Sequence, residues 1–259
     1  MTDLAKIISS HWTEVITFML VFGRALGLIV AAPFWGGRAV PVLVRVWIAV
    51  ILAMATYPLI QLGNFNAEIS ILGFFVTVAG EVFLGLVLGW LAQLIFAGVR
   101  LAGQEIELRS GLGLVQLIDP HQGGHSGLFA TFLEIAAGLI FFALNGHHLL
   151  IQALVASFSV FPLAGEKFIA RVADGMISSS GEIFTIALRI SAPVLLGLLL
   201  SDILLGMLSR AVPQMNVFMV AQPLQFGLCM LLMMLSLPAL VWFIVRQMPQ
   251  MIGVPGGIH

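Results

Sequence analysis

From Leu199 to Leu224 the chain reads LLSDILLGMLSRAVPQMNVFMVAQPL, a stretch apolar enough for a bilayer that still carries Asp202, Arg210, Pro213 and Gln214. A charge at the bilayer centre costs about 2.5 to 3.5 kcal/mol on an insertion scale, so such groups turn toward protein or water. The feature restricts the chain to a membrane fold whose helices have neighbours other than lipid.

Composition agrees: 60% of the 259 residues are hydrophobic, 9% are charged, and mean hydropathy is +1.11. Soluble proteins carry about 25% charged residues, so the chain reads as an integral membrane protein. A net charge of −1 and the absence of any Lys/Arg-rich run exclude a nucleic-acid partner. Cys229 is the sole cysteine and lies in the apolar run GLCMLLMML, which rules out an intrachain disulfide and predicts a buried structural thiol. Lys6 precedes an apolar stretch from Val15 that Arg24 interrupts, with no small-residue cleavage site after it, so the first helix is expected to be retained.

Apolar stretches of span length run from Val15 to Phe34, Val42 to Ile60, Ile69 to Ala97, Leu128 to Leu144, Ile183 to Leu208 and Val217 to Val245. At about 20 residues per crossing they predict roughly six helices. His148 to Phe161 is too short to cross and reads as a helical return or re-entrant piece. Polar loops are expected at Trp35 to Pro41, Gln61 to Glu68, Gln104 to Gly127, Pro162 to Glu182 and Arg210 to Asn216. Lysines and arginines alternate poorly along these loops, so the positive-inside count does not orient the chain. Pro33, Pro41, Pro58, Pro193, Pro213, Pro223 and Pro238 fall in or beside apolar runs, which favours kinked helical hairpins packed on protein over straight lipid-facing rods. Arg-Ala-Val-Pro occurs at Arg38 to Pro41 and again at Arg210 to Pro213, too short a repeat to imply internal symmetry.

Six ionisable residues lie within or at the rim of apolar stretches: Arg24, Glu81, Glu134, Arg189, Asp202 and Arg210. Facing all of them to lipid would cost about 18 kcal/mol, more than a typical fold's stability. Arg189 and Asp202 stand about 20 Å apart along a helix and Asp202 and Arg210 about 12 Å, so neither pair can close within one helix. Their counter-groups are expected on other helices or other subunits, fixing helix register or, less simply, forming a relay.

Small residues four apart at Gly23 and Gly27, and at Gly85 and Gly89, would let two helix backbones approach closely. Met230, Met233 and Met234 suit either ordinary packing or a soft lining. No G-x-S-x-G, H-E-x-x-H or Walker loop and no cysteine pair is present, so neither an enzyme nor a metal or cofactor site is expected. Adjacent His147 and His148 would diverge by about 100° on a helix and could not chelate one ion together.

The stretch Gly103 to Gly127, GQEIELRSGLGLVQLIDPHQGGHSG, is the strongest functional candidate. It opens as a helix end with Glu105 and Arg109 at i,i+4, then breaks at Gly111 and Gly113. Apolar Leu112, Leu114, Val115, Leu117 and Ile118 follow, before the turn signal Asp119-Pro120 and a flexible Gly123-Gly124. An apolar loop between glycine hinges can fold inward to close an opening, or simply pack on its neighbours.

Several local patterns then coincide: Arg24 with Pro33 and Val40-Pro41; Ala102-Gly103-Gln104 through Gly111 to Asp119-Pro120; Asn145-Gly146-His147; and Leu204-Leu205-Gly206 through Arg210, Pro213-Gln214 and Phe218. In this order and spacing they resemble the FliR/SctT family over nearly the whole chain. The resemblance implies a non-enzymatic component of the flagellar or virulence type III secretion export gate, with the overall pattern favouring the flagellar branch. It implies an all-α integral membrane protein that packs with FliP-like and FliQ-like subunits, and a FlhB-like subunit, into a heteromeric, helically staggered channel for unfolded export substrates. That channel would stand in the bacterial inner membrane, at the flagellar basal body or the base of a secretion apparatus. Residues 1–180 would correspond to the FliP-type subunit and 181–259, a helical hairpin, to the FliQ-type subunit. The family's plug loop maps onto Ile106 to Gln122, including Ile106, Leu108, Gly111, Leu112, Gly113, Leu114, Val115, Leu117, Ile118, Asp119 and Pro120. Members often carry aromatic residues there, whereas this chain has Leu114, Val115, Gln116 and Leu117. A secondary transporter or ion channel using the intramembrane charges is the alternative, and would call for paired broken segments in corresponding halves, which the sequence lacks.

Overall fold

A computed structural model describes residues 2–37, 40–60, 70–111, 127–163, 168–212, 214 and 216–251. Seven α-helices account for nearly all of them: α1 (Thr2–Ala31), α2 (Val42–Thr56), α3 (Ile71–Arg109), α4 (Leu128–Ala143), α5 (Gly146–Val160), α6 (Phe168–Ala211) and α7 (Val217–Met251). A 3₁₀ turn at Tyr57–Leu59 extends α2, and no strand occurs among the described residues.

Five of these helices are long and apolar enough to cross a membrane, over Trp12–Ala31, Val42–Leu59, Ile71–Arg109, Gly175–Ala211 and Met219–Arg246. A sixth span would need α4 and α5 together, because each is shorter than the roughly 20 residues a crossing requires. They meet at a 68° bend. Asn145 makes it, adopting the left-handed conformation at φ 53, which asparagine tolerates better than most residues. Leu128 to Leu144 is therefore half of a broken pair rather than a span of its own, and its other half is the expected re-entrant piece.

The two longest helices run far beyond the hydrocarbon core of a bilayer. At 1.5 Å per residue α3 and α6 run to about 58 and 66 Å, against a hydrocarbon core of about 30 Å. The loop expected at Pro162 to Glu182 is consequently corrected, since α6 already begins at Phe168. Polarity there marks a helix leaving the apolar zone, not a break in the chain. Pro193 lies inside α6, and Pro223 and Pro238 inside α7, without ending either helix.

The chain divides into two compact units, one of Met1–Leu94, Asn145–Ser180 and Met248–His259 and the other of Ile95–Leu144 and Gly181–Gln247. In the first, Val21, Ala25 and Leu28 of α1 bury against Ala53 of α2 and Leu154 and Phe158 of α5. Here α1 also crosses α3 at very close range. A side chain at Gly27 would overlap the Val82 carbonyl, and one at Gly85 the Arg24 carbonyl, so both small-residue pairs form the crossing the spacing predicted.

In the second unit Ile186, Ile190, Val194 and Leu198 make a buried stripe at helical spacing along α6. The surface also exposes Leu188, Leu196, Leu200, Ile203, Leu204 and Met207, so this part of α6 is apolar all round. Gly98 admits Ile186, Gly103 lies against the backbone of Ala130, and Gly197 admits Leu232. Cys229 is fully buried on α7, as the sequence led us to expect. Met233 is buried and Met234 exposed, which assigns this cluster to two faces rather than one lining.

Candidate functional site

Arg24 sits in the last third of α1 with no exposed surface, and Glu81 on α3 is 3% exposed. An ionised guanidinium in that position must have every donor placed. Its Nε donates to Glu81 Oε2 at 2.6 Å, and Nη2 lies 2.5 Å from the same oxygen. Nη1 donates to Ser157 Oγ on α5 at 3.0 Å, and that hydroxyl in turn donates a hydrogen bond to the Leu154 carbonyl at 2.7 Å. Nη2 also donates to the Phe161 carbonyl at 3.0 Å, at the C-terminus of α5 where the helix dipole favours a cation. The Phe158 ring closes the remaining face, its centroid 4.0 Å from Cζ. One side chain thus ties α1, α3 and α5.

The other expected charges divide. Glu134 of α4 pairs with both Nε and Nη2 of Arg100 on α3, a partly exposed bidentate contact. Asp202 of α6 accepts from Gln225 of α7 at 2.5 Å, yet is exposed. Arg189 and Arg210 are exposed too, and neither forms an ion pair among the described residues. So Arg24 and Glu81 answer each other within the chain, Glu134 has a partner on a neighbouring helix, and the charges on α6 face outward beside Leu188, Ile203 and Met207.

The candidate loop is described only at its stems; Leu112, Gly113, Leu114, Val115, Leu117, Ile118, Asp119 and Pro120 lie outside the described residues. On the stem before it, Ile106 and Ser110 are buried while Leu108 is 62% exposed. Gly111 takes φ +78, a conformation that favours glycine. The Gln222 amide of α7 presses against it, since a Cβ there would stand 2.6 Å from Nε2. On the stem after the loop, α4 starts at Leu128 behind Gly127, which offers no capping side chain, and no acid follows in the first turn. Glu107 of α3 supplies that function: its Oε1 accepts from the Leu128 N–H at 3.0 Å.

Glu107, Gln222, Arg100, Ser157 and Gln225 escaped the sequence reading. For Glu107 a signal did exist, because an acid in the last turns of a helix opposes that helix's dipole and needs a partner elsewhere. The His147 and His148 rings touch at a tilt of 43° with centroids 4.3 Å apart, and no group of three or more His, Cys, Asp or Glu among the described residues is placed to hold a metal ion.

These features define an all-α membrane protein with charge pairs between its helices. Residues 15–251 match the family of bacterial export proteins, family 1, and the chain belongs to that family. It is 32% identical over 240 residues to the flagellar biosynthetic protein FliR of Bacillus subtilis, covering 89% of each chain. It is 29% identical to that of Escherichia coli over 85% of this chain and 84% of the relative. A further relative, the Yop proteins translocation protein T of Yersinia pestis, is 26% identical over 85% of both chains.

Proposed function

We propose that this chain is a non-enzymatic subunit of a type III protein export gate, of the flagellar kind, in the bacterial inner membrane. Together with FliP-like, FliQ-like and FlhB-like subunits it forms the channel for unfolded substrates, and residues 106–122 close that channel at rest. Residues 1–180 and 181–259 would then mimic the FliP-type and FliQ-type subunits in turn.

The observation that carries the reading is α6, where Arg189, Asp202 and Arg210 stand exposed on a helix that is apolar on every side. Lipid would reject those groups; a neighbouring subunit supplies counter-charges. Family membership along residues 15–251 supports the same conclusion. Particle mass of the purified protein with and without its candidate partners tests it directly, and a solitary, stable, lipid-embedded chain would refute it.

Two outcomes follow. Arg210→Ala or Asp202→Ala is expected to cut recovery of partner subunits in co-purification by more than tenfold, because truncating one member of a buried interfacial charge pair costs about 2–5 kcal/mol. Unchanged recovery would mean that those charges meet no partner. Deleting Leu112 to Leu117 is expected to leave assembly intact and let small ions leak across the membrane. Undiminished sealing in a fully assembled complex would remove the plug from this proposal.

A further inference from the structure

Past Leu198 the buried stripe of α6 narrows to Ser201 and Leu205, and from Asp202 to Val212 every residue except Leu205 is exposed. On this end of the helix Asp202, Gly206 and Arg210 stand four residues apart, which makes them one row of the kind that helices use to pack on each other. At 3.6 residues per turn the row leans away from Leu205, by about 60° at Asp202, 100° at Gly206 and 140° at Arg210. Its centre is open, because a Cβ added at Gly206 would meet nothing in the chain within 4 Å. Its two ends are charged. Asp202 accepts from Gln225 of α7, a neutral amide that brings no counter-charge, and Arg210 forms no ion pair among the described residues. About 12 Å of helix keeps the two from neutralising each other.

The charges decide what covers this row. Lipid suits Arg210 alone, since an arginine reaches a headgroup along its own stem. Asp202 has one methylene and lies two turns deeper in an apolar span, where a carboxylate cannot reach water. A second copy of the chain fails for another reason. Copies inserted in one orientation are related by an axis along the membrane normal, so their α6 spans run parallel. Crossing at Gly206, they would set Asp202 against Asp202 and Arg210 against Arg210, a repulsive match at both ends.

We propose that Asp202, Gly206 and Arg210 seat one apolar helix of a different gate subunit, which crosses α6 at Gly206 with a base opposite Asp202 and an acid opposite Arg210. This rests on the subunit reading above. A partner helix parallel to α6 carries the base first and the acid eight residues later; an antiparallel one carries them in the reverse order. In either direction a small residue lies between them, since close backbone approach needs one on both helices. At a crossing of about 40° the two axes part by only about 4 Å over the 6 Å to each charge, a gap that the side chains span. The order of charges thereby fixes both the register and the direction of the partner.

The test uses the full chain expressed alone and with FliP-like and FliQ-like subunits, all purified in one detergent, with particle mass reporting assembly. Cys229 is the sole cysteine and is buried, so Gly206→Cys adds one accessible thiol. A maleimide should label that thiol readily in the isolated chain and about tenfold more slowly in the assembled particle. Gly206→Leu should cut recovery of the other subunits about tenfold, while the isolated chain stays as protease-resistant as before. The exchange Asp202→Arg/Arg210→Asp keeps composition and net charge, reverses the order of charges, and should lose subunits to the same extent.

An assembled particle in which Gly206→Cys labels as fast as in the isolated chain would overturn the seat and leave the gate reading standing. Full recovery with Gly206→Leu would do the same, as would full recovery with the charge exchange, the result expected if lipid covers the row. If the unaltered chain stays solitary beside these subunits, the gate reading fails and takes this inference with it. Should Gly206→Leu not fold, the labelling of Gly206→Cys decides: shielding supports the proposal and unchanged labelling ends it.

Discussion

Arg24→Leu should deplete the folded chain from the membrane, and Arg24→Leu combined with Glu81→Leu should restore most of it. The single variant leaves Glu81 ionised and buried with its guanidinium gone, a loss of about 3–5 kcal/mol against a typical total stability of 5–15. It also removes the donor that Arg24 gives to the Ser157 hydroxyl and to the Phe161 carbonyl. The double variant removes both charges and substitutes apolar volume, an exchange that in other proteins ranges from neutral to stabilising by about 1–4 kcal/mol. Protein extracted in mild detergent and its resistance to protease would report both effects. Equal loss in single and double variants would mean that the pair fixes something beyond its own neutrality, namely the register of α1, α3 and α5.

Much of that pair was readable from residue type alone. Arg24 and Glu81 both stood out as charges in apolar surroundings, and both turn out buried. Their pairing was not readable, because 57 residues separate them and nothing local to either helix selects the other. The Gly23/Gly27 and Gly85/Gly89 spacings announced a close crossing for a purely local reason: small residues four apart clear one helix face. Ser157 gave no signal, since a serine in an apolar helix ordinarily bonds its own backbone, as this one also does to Leu154.

The error at Pro162 to Glu182 came from equating polarity with a loop. A membrane helix that continues into a polar zone changes composition without changing backbone, and α6 does so from Phe168 onward. At Leu128 to Leu144 the apolar stretch was visible, but apolar length does not reveal the left-handed Asn145 at which the chain turns through 68°. At the candidate loop, the helix break at Gly111 was visible in sequence and the structure gives that glycine φ +78, whereas Glu107 was hidden by the expectation that Glu105 would pair with Arg109.

The second large effect separates close packing from mere glycine abundance by giving one substitution two signs. In the isolated chain Gly206→Ala on α6 should be neutral or stabilising by up to about 1 kcal/mol, since alanine is the better helix former and nothing in the chain lies within 4 Å of the added Cβ. Gly85→Ala should be severely destabilising. Its Cβ would overlap the Arg24 carbonyl and stand 2.8 Å from the Leu28 nitrogen, and both are backbone atoms that no rotamer change can move. Relief requires α1 and α3 to separate, and overpacking of this kind costs about 1–3 kcal/mol or more.

That separation also stretches the bond between Arg24 and Glu81, which lie one helical turn from Gly27 and Gly85 on the same faces. The cost of Gly85→Ala therefore includes part of the ion pair's loss. In an Arg24→Leu/Glu81→Leu background the glycine substitution should hurt less, with a coupling of about 0.5–3 kcal/mol expected for residues in contact. Measured by the same extraction and protease assays, strict additivity would mean that the crossing and the charge pair act independently. Non-additivity would identify them as one device, in which close backbone approach keeps the guanidinium within reach of its carboxylate.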